Sequence, residues 1–146
     1  MSRSQCPPEL RAEFLGEPAA VVLQAGERLY KFVSVPFVRE RILQSPWWIR
    51  QQTFDLMQAR ARALGRPLED LIRAHLAIKR EWNPGIDAMW VVVLASPVSA
   101  WAGRARSQPI SKTGGNVALM GGGDQVCVPA LDWRQIQTDY SAQWAR

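Results

Sequence analysis

Apolar and polar positions alternate between two regimes along this chain. Leu29-Tyr30-Lys31-Phe32-Val33-Ser34-Val35 is dense in aromatic and β-branched residues and closes on Pro36, which predicts a strand over 29–35. The regime then changes. Ser45-Pro46-Trp47-Trp48 carries a capping residue followed by a proline at a first helical position, a helix-start signal. Phe54, Met57, Ala61 and Leu64 recur at spacings of three and four and form one apolar face, which Gly65 ends. Pro67 opens a second helix with a buried stripe of Leu68, Leu71, Ile72, His75 and Leu76. It ends before the turn cluster Asn83-Pro84-Gly85.

Strand patterning returns at Met89. The run Met89 to Leu94 is continuous, Val-rich and short, as in a central strand buried on both faces. Val98 to Trp101 continues it after a kink at Pro97. Gln125-Val126-Cys127-Val128 reads as a last strand ended by Pro129, and Asp132 to Ile136 as a closing helix. Residues 10–25 show no clear period. The pattern predicts an α+β domain. Its helical middle, about 46–80, packs on strands near 29–35, 89–95, 98–102 and 125–129. No repeat or linker divides the 146 residues, so the expectation is one domain, 1–146, with a flexible tail over 1–9.

Composition changes this picture little. Apolar residues make up 47% of the chain, an ordinary globular value. The run Ala88 to Ala95 is far short of the roughly 20 apolar residues a spanning helix needs, so no membrane insertion is expected. The N-terminal segment lacks the apolar stretch of a secretory signal, and the two cysteines, Cys6 and Cys127, make no disulfide framework. These features together predict a cytoplasmic protein, or one exported by a dedicated system.

Charge changes it more. The net charge is +5, and residues 28–80 hold nine Arg and two Lys against four acids. Arginine pairs bidentately with phosphate and carboxylate, so the middle of the chain is the anion-facing part. A protein partner or target is expected there. Nucleic acid is a further candidate for Arg50, Arg60, Arg62, Arg66, Arg73 and Arg80, although no nucleic-acid module is visible.

Several chemistries are excluded. The single histidine, His75, belongs to a helix stripe and reads as structural, which leaves no base for a hydrolytic triad. Two Cys and one His, far apart, cannot close a zinc site. Ser111-Lys112-Thr113-Gly114-Gly115 has the residues of a phosphate loop in the wrong order. Seven tryptophans are first of all core fillers. The adjacent pair Trp47 and Trp48 is the exception, because one of the two must face away from the core.

Three segments in order resemble the ADP-ribosyltransferase-like fold: Gly26 to Phe32, Trp90 to Gln108, and Gly121-Gly122-Gly123-Asp124-Gln125-Val126-Cys127-Val128-Pro129. The resemblance implies a compact domain that holds NAD between two small sheets, as in bacterial effectors or toxins. By the resemblance, Tyr30 and Lys31 would contact the nucleotide. Ser45, Trp47 and Trp48 would line the cofactor site. Gln125, with Asp124 beside it, would take the catalytic position. That position carries a carboxylate in the family. An amide hydrogen-bonds but cannot supply full negative charge as nicotinamide leaves, and this departure raises the alternative of a non-catalytic binding module that holds a protein or anionic ligand on an Arg/Trp-rich face.

Overall fold

The structure is a computed structural model that describes residues 6–34, 36–76, 86, 88–106, 108–109, 118–119, 123–129 and 131–143. In chain order the elements are α1 (Pro8–Arg11), β1 (Phe14–Leu23), β2 (Arg28–Val33), α2 (Arg39–Gln44), β3 (Trp47–Arg50), α3 (Gln51–Leu64) and α4 (Leu68–Leu76). There follow β4 (Ala88–Leu94), β5 (Val98–Ala105), β6 (Gln108–Pro109), β7 (Ala118–Leu119), β8 (Asp124–Cys127), a 3-10 turn (Trp133–Gln135) and β9 (Ile136–Gln143). The α+β class is as the pattern predicts, and strands dominate. Seven of them form a sheet in the order β1-β5-β8-β3-β2-β4-β9, and β6 pairs with β7.

The strands near 29–35, 89–95, 98–102 and 125–129 are present as β2, β4, β5 and β8, with shifted ends. The Val-rich run of β4 is central to its half of the sheet, between β2 and β9. Gly65 stops α3 in the left-handed region (φ 62, ψ 32), a conformation that costs a residue with a Cβ.

The helical middle needs correction at its start. Ser45-Pro46-Trp47-Trp48 does not open a helix: residues 47–50 are strand β3, and the helix begins at Gln51. Two tryptophans and an isoleucine favour an extended chain, and pairing on both sides settles the competition with the local capping signal. The helices are α3 and α4, and residues 77–80 lie outside the described residues. The closing helix is likewise corrected. It is one 3-10 turn with a capping box at Asp132, and the chain from Ile136 is an edge strand. The unplaced segment 10–25 is also a strand, β1. It carries a register shift between Leu15 and Ala19 where Gly16 (φ 76) and Pro18 interrupt the ladder. Within the expected tail over 1–9, residues 1–5 lie outside the described residues, Cys6 is buried against Phe14 and Cys127, and α1 begins at Pro8.

The sheet is folded on itself, and its main core lies between the halves. Leu23, Val98, Ala100, Val126 and Val128 from one half pack with Leu29, Val33, Trp90, Val92 and Leu94 from the other, and Trp48 belongs to the same cluster. Burying a side chain of this size stabilises by about 1.5–3 kcal/mol. The outer face of β2 and β4 receives α3 and α4 through Tyr30, Phe32, Phe54, Met57, Ile72 and Val91. On the far side, Phe14, Cys127, Cys6 and the half-buried Trp47 and Trp101 form a third, smaller cluster.

Two contacts tie these layers together. Trp90 is fully buried and donates its indole N–H to Asp139 Oδ2 at 2.9 Å, and Arg39 grips both oxygens of the same carboxylate at 3.0 and 3.1 Å. Phe14 reaches across Gly103 to lie 5.3 Å from the Trp47 ring. A Cβ on Gly103 would stand 2.7 Å from Phe14 Cδ1. Gly103→Ala is therefore expected to lower stability by about 1–3 kcal/mol, as overpacking does, and to change the near-ultraviolet dichroism of Trp47 by displacing its neighbour Phe14. Urea unfolding and dichroism of the variant check both effects.

Candidate functional site

β3 is four residues long and changes partner halfway. Trp47 and Trp48 pair with Cys127 and Val126 of β8. Ile49 and Arg50 pair with Tyr30 and Leu29 of β2. No residue of β3 is paired on both sides, so the two half-sheets meet through two residue pairs on each side and part on either side of the strand. Pro46 extends the first half by accepting from the Val128 N–H at 2.7 Å.

Lys31 lies where β2 leaves β3. It is 8% exposed, and its Nζ sits 4.0 Å above the Trp48 ring. The amine donates to the carbonyl of Ile42 at 2.9 Å and to the carbonyl of Ser45. Both carbonyls belong to the C-terminal end of α2, where the negative end of the helix attracts a cation; the Ile42 carbonyl also accepts the Ser45 N–H at 3.1 Å. Lys31 thus caps α2 from the neighbouring strand. Burial pushes its ammonium down to about 7, against a smaller opposing pull from Cys127. Burial and the neighbouring Cys6 push the Cys127 thiol up to about 12, even though Lys31 draws it the other way, so burial favours the protonated thiol over the thiolate.

Of the residues singled out in the sequence, three converge: Lys31, Trp48 and the backbone carbonyl of Ser45. The Ser45 side chain is exposed. Trp48 is 2% exposed, and its indole N–H has no partner among the described residues. Tyr30 does not join them. Neighbours on a strand point to opposite faces, and Tyr30 stacks on Phe54 under α3, with ring centroids 4.9 Å apart and planes 7° from parallel. Burial raises its phenol, as does the nearby Tyr140, while Arg28 pulls it down through charge and a hydrogen bond.

Trp47 and Gln125 share the outer face of the other half-sheet, since Trp47 is paired with Cys127 and Gln125 lies two residues before it. Gln125 is half-buried, opposite Gly103, and donates its amide to the Glu13 carbonyl at 3.3 Å. Asp124 is exposed, on the opposite face, and paired in register with Arg104. Nothing in the sequence points to Glu13 or Phe14 as neighbours of this place. Arg50, a phosphate-contact candidate in the sequence, is ion-paired with Glu27.

A cavity of about 1020 Å³ runs along β1 and β5. Cys6, Arg11, Glu17, Val22, Trp101 and Pro129 are among its walls, and none of the seven singled-out residues lines it. No group of three or more potential metal ligands occurs among the described residues. No helix among them is long and apolar enough to cross a membrane. The His75 side chain and residues 111–117 lie outside the description.

No family model matches the chain, and no curated protein matches it in sequence. Among solved structures, a chain from the structure of Tne2 in complex with Tni2 is similar, at 13% identity and a TM-score of 0.45. The match covers 87% of this chain and 93% of that one.

The titration of Lys31 has a measurable consequence. Below about pH 7 the folded and unfolded chains both hold this proton, so the group adds no pH dependence. Between about 7 and the ordinary lysine value of 10.5 the unfolded chain alone holds it, so stability rises with pH across that window. Urea unfolding from pH 6 to 10 is expected to show this rise in the native chain and to lose it in Lys31→Met. Parallel profiles for the two proteins would contradict the assignment.

Proposed function

We propose that this chain is an ADP-ribosyltransferase-like domain that binds NAD and acts on the bond between nicotinamide and ribose. The observation that carries the reading is the change of partner within β3. It makes two half-sheets out of one sheet, the two small sheets the resemblance implies; the apolar core fills the space between them, so the ligand in this reading lies on the outer face that carries Trp47 and Gln125. The singled-out residues fit such a ligand in part. Trp47, half-buried on the outer face, offers a ring edge or face for stacking. Gln125, on that same face, offers an amide to ribose hydroxyls and a partial negative charge to the ring as nicotinamide departs. Lys31 does not reach a phosphate in this arrangement, because its donors are directed at α2. Its part is to position Trp48 and the start of β3.

A second reading, a binding module without catalysis, is favoured by one contact. The Gln125 amide donates to the Glu13 carbonyl, and its neighbour Asp124 faces Arg104 on the other side of the strand. In that case the chain would hold a protein or an anionic ligand and leave it unchanged. The two readings differ in what NAD becomes.

Incubation of the purified chain with NAD labelled in nicotinamide and, separately, in adenine separates them. The first reading expects saturable binding and nicotinamide release, reduced about a hundredfold in Gln125→Ala while NAD still binds. Adenine label found on a protein would indicate transfer, and label found on free ADP-ribose would indicate hydrolysis. Binding without release supports the second reading. Neither binding nor release overturns the first.

A further inference from the structure

The sequence assigns Leu64 to the buried face of α3, together with Phe54, Met57 and Ala61. The structure buries the other three and leaves Leu64 66% exposed. Leu56, eight residues earlier, is 51% exposed. Arg60 stands midway between them, and it too is exposed. Residues four apart on a helix follow one another along a ridge, so Leu56, Arg60 and Leu64 form one ridge about 12 Å long. Ala59 and Ala63 lie beside it, also exposed, and leave room for a second helix to approach. The ridge carries positive charge. Arg60, and Arg66 just past the helix end, are exposed and enter no salt bridge among the described residues, whereas Arg39, Arg50 and Arg73 are all paired. Asp55 is the one acid on α3.

We propose that this ridge is a docking surface for an acidic amphipathic helix of a partner protein. The charge pattern selects the occupant: two leucines call for apolar anchors about two turns apart, and the arginine between them, with the one beyond, calls for carboxylates flanking those anchors. Phosphates would satisfy the arginines but would leave both leucines in water, so the pattern favours protein over nucleic acid. The surface lies on the solvent side of α3 and does not depend on NAD binding.

The test uses the full chain and three probes in a fluorescence binding assay. One is a synthetic helical peptide with Leu at heptad a and d positions and Glu elsewhere. The second is polyglutamate, which has the charge without the anchors, and the third is a 20-base-pair RNA duplex. The peptide is expected to bind more tightly than polyglutamate. Binding should weaken about tenfold or more in Leu56→Ser/Leu64→Ser, and by a similar factor in Arg60→Glu/Arg66→Glu. Both variants change exposed side chains and are expected to keep the native dichroism spectrum. Should the leucine variant fail to fold, the arginine variant and the single Leu64→Ser variant carry the test. Peptide binding no tighter than polyglutamate, or unaffected by the leucine changes, overturns the proposal. So does duplex binding that exceeds peptide binding and depends on the arginines alone.

Discussion

The architecture depends on a staggered join. A central strand ordinarily pairs along its whole length on both edges, and this holds a sheet flat apart from its twist. β3 gives its first two residues to one neighbour and its last two to the other. The halves are therefore free to fold toward each other, and the apolar faces they present meet as one core. Trp48 stands at that join. It pairs with β8 through its backbone and packs against Trp90 of the other half through its ring, with centroids 5.6 Å apart. One residue thus couples the backbone of one half to the side-chain packing of the other.

The same stagger explains a buried cation. Where β2 departs from β3, the backbone ladder stops and a polar gap opens beside an apolar core. A lysine there loses hydration, a loss that pulls its titration down to about 7. It is tolerated because α2, which links the two strands, ends with the Ile42 and Ser45 carbonyls within reach, and because the Trp48 ring presents its face. The basic position in β2 has a structural explanation that owes nothing to a ligand. That is the main change the structure brings to the reading of Lys31.

Much of the fold was legible in local pattern. The Val run of β4, the aromatic strand β2 and the glycine stop at Gly65 follow from periodicity and backbone preference, and all three are present. The errors share a cause. Ser45-Pro46 satisfies the rules for a helix start and equally those for entry into a strand, and the pairing of Trp47 with Cys127, 80 residues away, decided it. β1 and β9 escaped detection because edge strands with an exposed face need not alternate cleanly, and β1 is broken by Gly16 and Pro18 as well. At the candidate site, the sequence pointed to Lys31, Trp48 and Gln125 but gave no hint of what they touch. The α2 carbonyls, and Glu13 at a separation of 112 residues, are tertiary neighbours without a sequence signal.

The strand geometry of β8 narrows how any chemistry could run. Asp124 and Gln125 are consecutive on a regular strand, paired residue by residue with Arg104 and Gly103. Their side chains therefore leave opposite faces, and Asp124 cannot stand in for Gln125 without breaking that pairing. Gly103 matters here as well. Because it lacks a side chain, Phe14 can cross to Trp47, and these two rings enclose the outer face on which Gln125 sits. An amide in such a place can orient a sugar hydroxyl and contribute a dipole, while full charge stabilisation would have to come from the substrate's own phosphates or from a residue outside the described segments. In the reaction proposed above, Gln125 would therefore act by positioning, and Asp124 would contribute at most to the field along the strand.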